Sequence, residues 1–275
     1  RREKTITEDE RGVSEAISYV LVFGLIVTGT SLVALQGAPA ISNTQDEQVA
    51  ENAKRAVVLL QERVNEMVRQ DAPSREISVD LQDLRAGVGD MEPARFSITV
   101  TDSSGNVVDV ADVETDPVYL QKTAGKIDQT AAYENGAVLL GQRDTPESWT
   151  MSERPSWAIR TNSTGHVQSV FFTTIATKGN GVVSGQRTSA RLVFETVGRD
   201  STAVRNAEGV NVTVESPRSR AWEEYLGRVD GGINGSDLSV SGDTVSLEID
   251  KDGFEGGNGS VNHRTRTVRT EVTAR

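Results

Sequence analysis

The chain has 275 residues, a formal net charge of −11 from 40 acidic and 29 basic residues, and no cysteine. This length suffices for one large domain, or for one domain with an anchor and a stalk. An acidic surface repels phosphate backbones, so we expect no nucleic-acid partner. The missing cysteine excludes disulfides, thiolate zinc sites and cysteine nucleophiles. Only six of the 29 basic residues are lysine; this bias is typical of proteins that stay soluble at high salt, and a GC-rich genome would give it too.

The first 35 residues divide into a charged and an apolar part. Residues 1–12 are dense in charge, and in Val13–Leu35 the only acidic or basic residue is Glu15. A helix of this length spans roughly 35 Å, enough for the apolar core of a bilayer. We therefore expect a cytoplasmic leader over 1–12, a long hydrophobic transmembrane helix over 13–36, and contact with membrane lipid through Val13–Leu35.

Three fates of this segment are compatible with its composition. Ala38-Pro39-Ala40 offers a signal-peptidase site, although the apolar run is long and its leader acidic for a secretory signal. An uncleaved helix would act as a plain anchor. A prepilin-type cut between Gly12 and Val13 would leave the apolar run in the mature protein.

The residues around Gly12 resemble a known family. The run Glu10-Arg11-Gly12-Val13-Ser14, followed by Ala16, Ile17, Val20 and Leu21, is similar to the N-terminus of archaeal type IV pilins. Glu15 departs from the proline that often follows the serine in that family. The resemblance covers about the first 35 residues. It implies cleavage by a prepilin peptidase at the Gly12/Val13 junction, and contact with other pilin subunits through the N-terminal helix.

Basic residues predict the orientation. Arg1, Arg2, Lys4 and Arg11 precede the apolar run, whereas Gln36–Ala53 contains neither lysine nor arginine. Because basic residues stay on the cytoplasmic side, we expect the large C-terminal part outside the cell, on a single-pass membrane protein.

A second helix, amphipathic and stalk-like, is predicted over residues 41–72. Pro39 should break the preceding helix, and Thr44 with Glu47 forms a capping box. Apolar residues then recur in steps of three and four. They are Val49, Ala53, Ala56, Val57, Leu60, Val64, Met67 and Val68. We expect this stripe to pack against a sheet of the same chain; a coiled-coil stalk is the alternative.

From residue 75 to 275 the pattern is that of an extracytoplasmic β-rich domain. Apolar residues alternate with a period of two, and Gly, Asn and Asp mark the turns. Ten strands are predicted: Ile77–Leu81, Phe96–Thr101, Val107–Val110, Ala137–Leu140, Trp157–Arg160, Val167–Thr177, Arg191–Val197, Val210–Val214, Thr244–Ile249 and Thr267–Thr273. The second and third should form a hairpin, and so should the sixth and seventh. The expected class is α+β, with two N-terminal helices before a mostly antiparallel sandwich or meander.

One further helix is predicted from Ser216, as N-cap, to Gly227. Its Trp222, Tyr225 and Leu226 share one face, which favours a core position over a ligand site. Together with the N-terminus and the flanking strands, this helix resembles haloarchaeal surface proteins of unassigned function.

The sequence offers little catalytic chemistry. His166 and His263 lie far apart without a second ligand at metal spacing. The loop Asp250–Glu255 fails the EF-hand pattern, although an irregular calcium site there remains an alternative. We therefore predict no catalytic residue, no metal and no cofactor. Asn-x-Ser/Thr sites, candidates for glycosylation, occur at Asn162, Asn211, Asn234 and Asn258.

The favoured function is that of a type IV pilin-like surface protein, a minor pilin in filament assembly or adhesion. A membrane-tethered binding or structural protein that never polymerises is the alternative. A tethered hydrolase using paired carboxylates is the third candidate.

Overall fold

The computed structural model describes the backbone of residues 9–81, 83–122, 129–185, 188–254 and 259–275, and side chains within these ranges other than those of 9–18, 29–30, 32–46 and 109–110. The chain divides into two compact units, Arg1–Gln48 and Val49–Arg275. We call the first the N-terminal unit and the second the head.

Two helices and fourteen strands are assigned in these ranges. The helices are α1 (Asp9–Arg69) and α2 (Ser219–Asp230). The strands are β1 (Ser74–Asp80), β2 (Leu84–Val88), β3 (Ala94–Asp102), β4 (Val107–Thr115), β5 (Val118–Lys122), β6 (Thr130–Glu134), β7 (Ala137–Gln142), β8 (Thr145–Glu153), β9 (Ala158–Thr161), β10 (Val167–Ser184), β11 (Ser189–Glu215), β12 (Ser236–Ser241), β13 (Thr244–Ile249) and β14 (Gly259–Ala274).

The expected α+β class, with two separate N-terminal helices, is wrong. The described residues are mostly β, and α1 runs as one helix of 61 residues through Pro39. A single proline removes one backbone donor, and the hydrogen bonds on either side keep the helix continuous. Residues 1–8 of the expected leader lie outside the described part of the chain.

The predicted amphipathic stripe is confirmed in the head. Ala53, Val57, Leu60, Val64 and Met67 are fully buried in one cluster with side chains of the sheet. The spacing of three and four residues places them on one face of α1. This face therefore packs within the head, as the intramolecular interpretation predicted.

The described strands form one 14-stranded mixed sheet. Its main order is β12-β13-β11-β14-β10-β2-β5-β6-β7-β8; β1 and β3 also pair with β11, β4 with β3, and β9 with β10. The predicted hairpin of β3 and β4 is confirmed. Among the described strands every pairing except that of β10 with β14 is antiparallel, as expected. The expected sandwich or meander is wrong, because the strands form one continuous mixed sheet.

The second predicted hairpin is wrong. Strand β14 lies between β10 and β11, parallel to the former and antiparallel to the latter. Strands that follow each other in the chain and are joined by a short loop usually pair. Here β14, from the end of the described chain, lies between β10 and β11 and separates them. The loop around Gly185 therefore connects two strands that are not neighbours.

One tight turn positions several buried groups. Asn135 and Gly136, between β6 and β7, have φ of 46° and 83°, the conformation that a two-residue hairpin of type I′ requires. Gln61 of α1 donates from Nε2 to the carbonyl oxygens of Gly136 at 2.7 Å and Arg154 at 3.0 Å. Asn135 Oδ1 accepts from the Ile175 N–H at 2.7 Å. The turn thereby joins α1 and β10 to the hairpin of β6 and β7.

Two further core clusters lie away from α1. The α2 core contains Trp222, Tyr225 and Leu226 with Phe96 and Trp149. The β10 core contains Val170, Phe172 and their neighbours on β3, β11 and β14. Trp157 packs against both clusters, so the two cores meet at this ring.

Candidate functional site

A run of apolar side chains on α1 is exposed in the N-terminal unit. We call residues 19–27 the apolar segment. Its large side chains are between 44% and 77% exposed: Tyr19, Val20, Leu21, Val22, Phe23, Leu25, Ile26 and Val27. Nine consecutive helical residues occupy two and a half turns, so these side chains point in every direction around the axis. A helix that is apolar all round belongs in an apolar environment rather than in water.

The polar groups at this segment reinforce its apolar character. Thr28 donates its hydroxyl to the carbonyl oxygen of Gly24 at 2.6 Å. The hydroxyl is therefore satisfied by the helix itself and needs no water. A methyl group placed on Gly24 would meet no atom within 4 Å, so another helix can approach the backbone closely at this point.

Two other predictions concern the same region: the processing junction at Gly12 and Val13, and the transmembrane helix over 13–36. The backbone of Gly12 and Val13 belongs to α1, and the side chains of this part of the helix are outside the described part of the structure. Among the residues that the structure describes, no helix is both long and apolar enough to cross a membrane.

The candidate glycosylation sites have different surroundings. Asn162, in the turn between β9 and β10, accepts at Oδ1 from the N–H groups of Thr164 at 2.9 Å and His166 at 3.0 Å. Asn234 lies beside it and donates its backbone N–H to the Gly165 oxygen at 3.0 Å. Asn234 thus packs against the turn that contains Asn162.

The other two sites are elsewhere. Asn211 lies inside β11, and its Oδ1 accepts from the hydroxyls of Thr213 and Ser246 at 3.1 and 2.8 Å. A strand residue engaged in this way is a poor acceptor for a glycan. Asn258 lies outside the described residues.

The histidines do not come together. The His166 Nδ1 lies 2.9 Å from the Thr164 hydroxyl. His263 is buried in β14, and its Nε2 is 3.1 Å from the hydroxyls of Thr174 and Thr265. In the described ranges no group of three or more His, Asp or Glu side chains is placed to hold a metal ion.

The acidic loop beyond β13 is organised by its own backbone. The Asp250 carboxylate accepts from the N–H groups of Asp252 at 2.8 Å and Gly253 at 3.1 Å. Glu255 lies outside the described residues. The contacts of Asp250 are thus those of a turn.

A buried ion pair was missed by the sequence analysis. Arg218 is 2% exposed and donates from Nε to Glu134, which is fully buried at the end of β6. The Glu134 carboxylate also accepts from Trp222 Nε1 at 2.7 Å and from the Ser216 hydroxyl at 3.1 Å. Arg218 Nη2 donates to the Glu92 carbonyl at 2.8 Å. Because donors of the protein satisfy the Glu134 carboxylate and acceptors of the protein satisfy the Arg218 guanidinium, this cluster joins the start of α2 to β6 and acts structurally.

A second polar cluster lies at the turn after β2. The Asp90 carboxylate accepts from the Tyr119 hydroxyl at 2.7 Å, Arg85 at 2.6 Å and Arg143 at 3.1 Å. The Tyr119 hydrogen bond, aided by the two guanidinium groups, lowers the pKa of Asp90. Burial, with the bond to Asp90, raises the pKa of Tyr119 to about 12. The cluster ties β2 and β5 to the turn between β7 and β8.

Comparison with known proteins identifies a family without indicating an activity. The model of DUF7289, described as a family of unknown function, matches residues 11–274. Neither the curated proteins nor the solved structures contain a significant match. The matched region includes the apolar segment together with the whole sheet.

Proposed function

The chain belongs to DUF7289, a family of unknown function, and we propose that it is a pilin-like surface subunit. In this proposal the apolar segment packs against the same segment of other copies, and the head remains in the surrounding medium. Contact between helices is thus the primary activity of the N-terminal unit, and we assign the protein no catalytic role.

The exposed apolar segment carries the proposal. Burying a large apolar side chain stabilises an assembly by about 1.5–3 kcal/mol. Eight such side chains are exposed here, so roughly 10–20 kcal/mol is available to a partner that covers them fully. A bundle of copies would cover all sides of the helix, whereas contact with a single protein surface would leave one side in water.

The residues before the segment support processing at Gly12. In the pilin-like interpretation a prepilin peptidase removes residues 1–12, and the mature chain begins at Val13. The family match starts at residue 11, so most of the charged leader lies outside the region that the family shares. Removal of the leader would place the apolar helix at the new N-terminus, where copies can pack without burying the charges of residues 1–12.

The alternative is a tether that never polymerises. Lipid would then cover the apolar segment, and the head would be held singly at the cell surface. Both functions use the same segment. An experiment that separates them has to show whether the protein is found in filaments or in the membrane.

The test is to shear surface filaments from cells that assemble them and express this chain. We expect the chain in the sheared fraction, with a mature N-terminus at Val13 by mass spectrometry. Val22→Asp should remove it from that fraction, because it buries a charge among helices. Val240→Asp is the matched control: Val240 is a similarly exposed valine of the head, and its replacement should have no effect.

Two outcomes contradict the proposal. An intact N-terminus with all of the protein retained in the membrane fraction would indicate the tether. A mature N-terminus beyond Ala40 would remove the apolar segment from the mature protein and exclude both functions.

A further inference from the structure

A cavity of about 350 Å³ lies in the head where the α2 core meets the β10 core. We call it the head cavity. Its roof is the C-terminal half of α2, with Tyr225 and Val229, and its floor is formed by Leu247 and Ile249 of β13. Trp157 and Ile159 form one side. Apolar residues therefore dominate the lining, as in most small-molecule sites.

The aromatic wall is held rigidly. The Trp157 ring is 5.3 Å from the Phe172 ring and 6.1 Å from the Tyr225 ring, measured between centroids. Trp157 Nε1 donates to the carbonyl oxygen of Thr173 at 3.2 Å. Because these contacts fix the indole, a flat ring can bind against it with little loss of side-chain entropy.

Two polar groups converge on this wall. Arg154 lines the cavity, is exposed, and forms no ion pair with any residue that the structure describes. The Tyr225 hydroxyl has no hydrogen-bond partner among the same residues. Burial raises the pKa of Tyr225, and the nearby positive charge of Arg154 acts in the opposite direction. Because Arg154 and Tyr225 both line the head cavity, one bound ligand can contact both.

The volume limits the size of that ligand. A cavity of about 150 Å³ holds one benzene molecule. The head cavity has about twice that volume, so it has room for a fused pair of rings or for one ring with a short chain. A guanidinium beside an apolar cavity matches a planar carboxylate, to which it can donate two parallel hydrogen bonds.

We propose that the head cavity binds a small aromatic carboxylate. The ring lies against Trp157 and above the apolar floor, and the carboxylate accepts hydrogen bonds from Arg154 and from the Tyr225 hydroxyl. This gives the head a ligand-binding activity that does not depend on helix assembly.

The probe for this site is 2-naphthoate, with 2-naphthylmethanol as its neutral counterpart. Isothermal titration calorimetry on the full chain should show saturable binding of one naphthoate and weaker binding of the alcohol. Arg154→Gln should weaken naphthoate binding by at least about tenfold, because the charge-assisted hydrogen bonds of the guanidinium are lost, and leave binding of the alcohol unchanged. Arg160→Gln is the matched control, because Arg160 stacks on Phe171 and does not line the cavity.

A second variant tests the location. Gly232 lines the cavity, and a Cβ added to it would have the Val229 carbonyl oxygen as its nearest neighbour, at 3.7 Å. Gly232→Leu should therefore fold and occupy the space. We expect it to abolish binding of both probes. Val22→Asp, which tests assembly, should leave binding unchanged.

The proposal is overturned if naphthoate does not bind at millimolar concentration. It is also overturned if the alcohol binds as tightly as the acid, or if Gly232→Leu binds naphthoate like the parent chain while its thermal unfolding is normal.

Discussion

Two stretches of α1 are rich in the same apolar residue types, and their side chains have opposite environments. In residues 53–67 the apolar positions recur every three or four residues and are buried in the head. In the apolar segment, residues 19–27, they are consecutive and exposed. The difference shows that the spacing of apolar residues, and not their number, decides whether a helix can bury them within its own chain.

The two stretches of α1 also differ in what they contribute to stability. Positions 53–67 contribute to the unfolding free energy of the head, because they leave water when the head folds. The apolar segment gains nothing from that folding and contributes only when a partner covers it. Mutations in residues 53–67 should therefore change the unfolding free energy of the head, and mutations in the apolar segment should change self-association. The largest change in unfolding free energy is expected from the buried charges of the head.

The largest effect is expected from the buried ion pair. Arg218→Met leaves the Glu134 carboxylate buried without its cation, and it should lower the unfolding free energy of the head by about 3–5 kcal/mol. Urea denaturation followed by tryptophan fluorescence measures this. Arg220→Met, an exposed arginine on the same helix, should change it by less than about 1 kcal/mol.

A rescue variant separates charge from packing. Combining Arg218→Met with Glu134→Gln removes both charges and should restore a large part of the lost stability. If the double variant is as unstable as Arg218→Met alone, packing around Arg218 rather than the unpaired carboxylate causes the loss.

The next effect tests the buried stripe directly. Leu60→Ala should destabilise the head by about 2–5 kcal/mol, since Leu60 is 1% exposed among packed neighbours. Leu59 is adjacent and 43% exposed, so Leu59→Ala should cost less than about 1 kcal/mol. Equal losses in the two variants would refute the assignment of a single buried face.

A smaller effect depends on pH. Because the folded-state pKa of Asp90 lies below its usual value of 3.8, its contribution to stability is complete above about pH 4. It is lost as the pH falls through the folded-state pKa. Tyr119→Phe removes the hydrogen bond that lowers this pKa, and should flatten the acid limb of the stability curve by about 1 kcal/mol or less. An unchanged acid limb would contradict this account.

The smallest effect on unfolding is expected in the apolar segment. Phe23→Ser should leave the unfolding free energy of the head within about 0.5 kcal/mol of the parent, because Phe23 is exposed. The same variant should reduce self-association in analytical ultracentrifugation. A destabilised head with unchanged association would reverse the comparison between the two stretches.

Local patterns predicted much of the head. The stripe on α1, the hairpin of β3 and β4, and a helix carrying Trp222 follow from spacing and turn residues. The start of α2 is displaced, because the structure begins it at Ser219 with Arg218 as N-cap. Strands β2, β5, β6, β8 and β12 were not predicted. Strands β5 and β6 are buried on nearly every residue and so lack the alternation that identifies a half-exposed strand.

The pairing of strands that are distant in the chain could not be predicted from the sequence. Nothing in β10 or β11 indicates that β14 lies between them, because strand order depends on competition among distant segments. The ion pair of Glu134 and Arg218 was missed for the same reason, since the two residues are 84 positions apart. The one local signal was an arginine directly before the aromatic face of α2. The head cavity likewise arises from the meeting of two cores that no single motif describes.

The central position of β14 affects how the protein is made. This strand is the last of the described strands along the chain, yet it lies in the interior of the sheet, where it pairs with β10 on one side and β11 on the other. During synthesis the earlier strands therefore cannot complete the sheet until residues 259–274 have left the ribosome. Until then the edges of β10 and β11 that pair with β14 remain without this partner, and unpaired strand edges favour aggregation. We therefore expect the pairing of β14 with β10 and β11 to be a late step in the folding of the head.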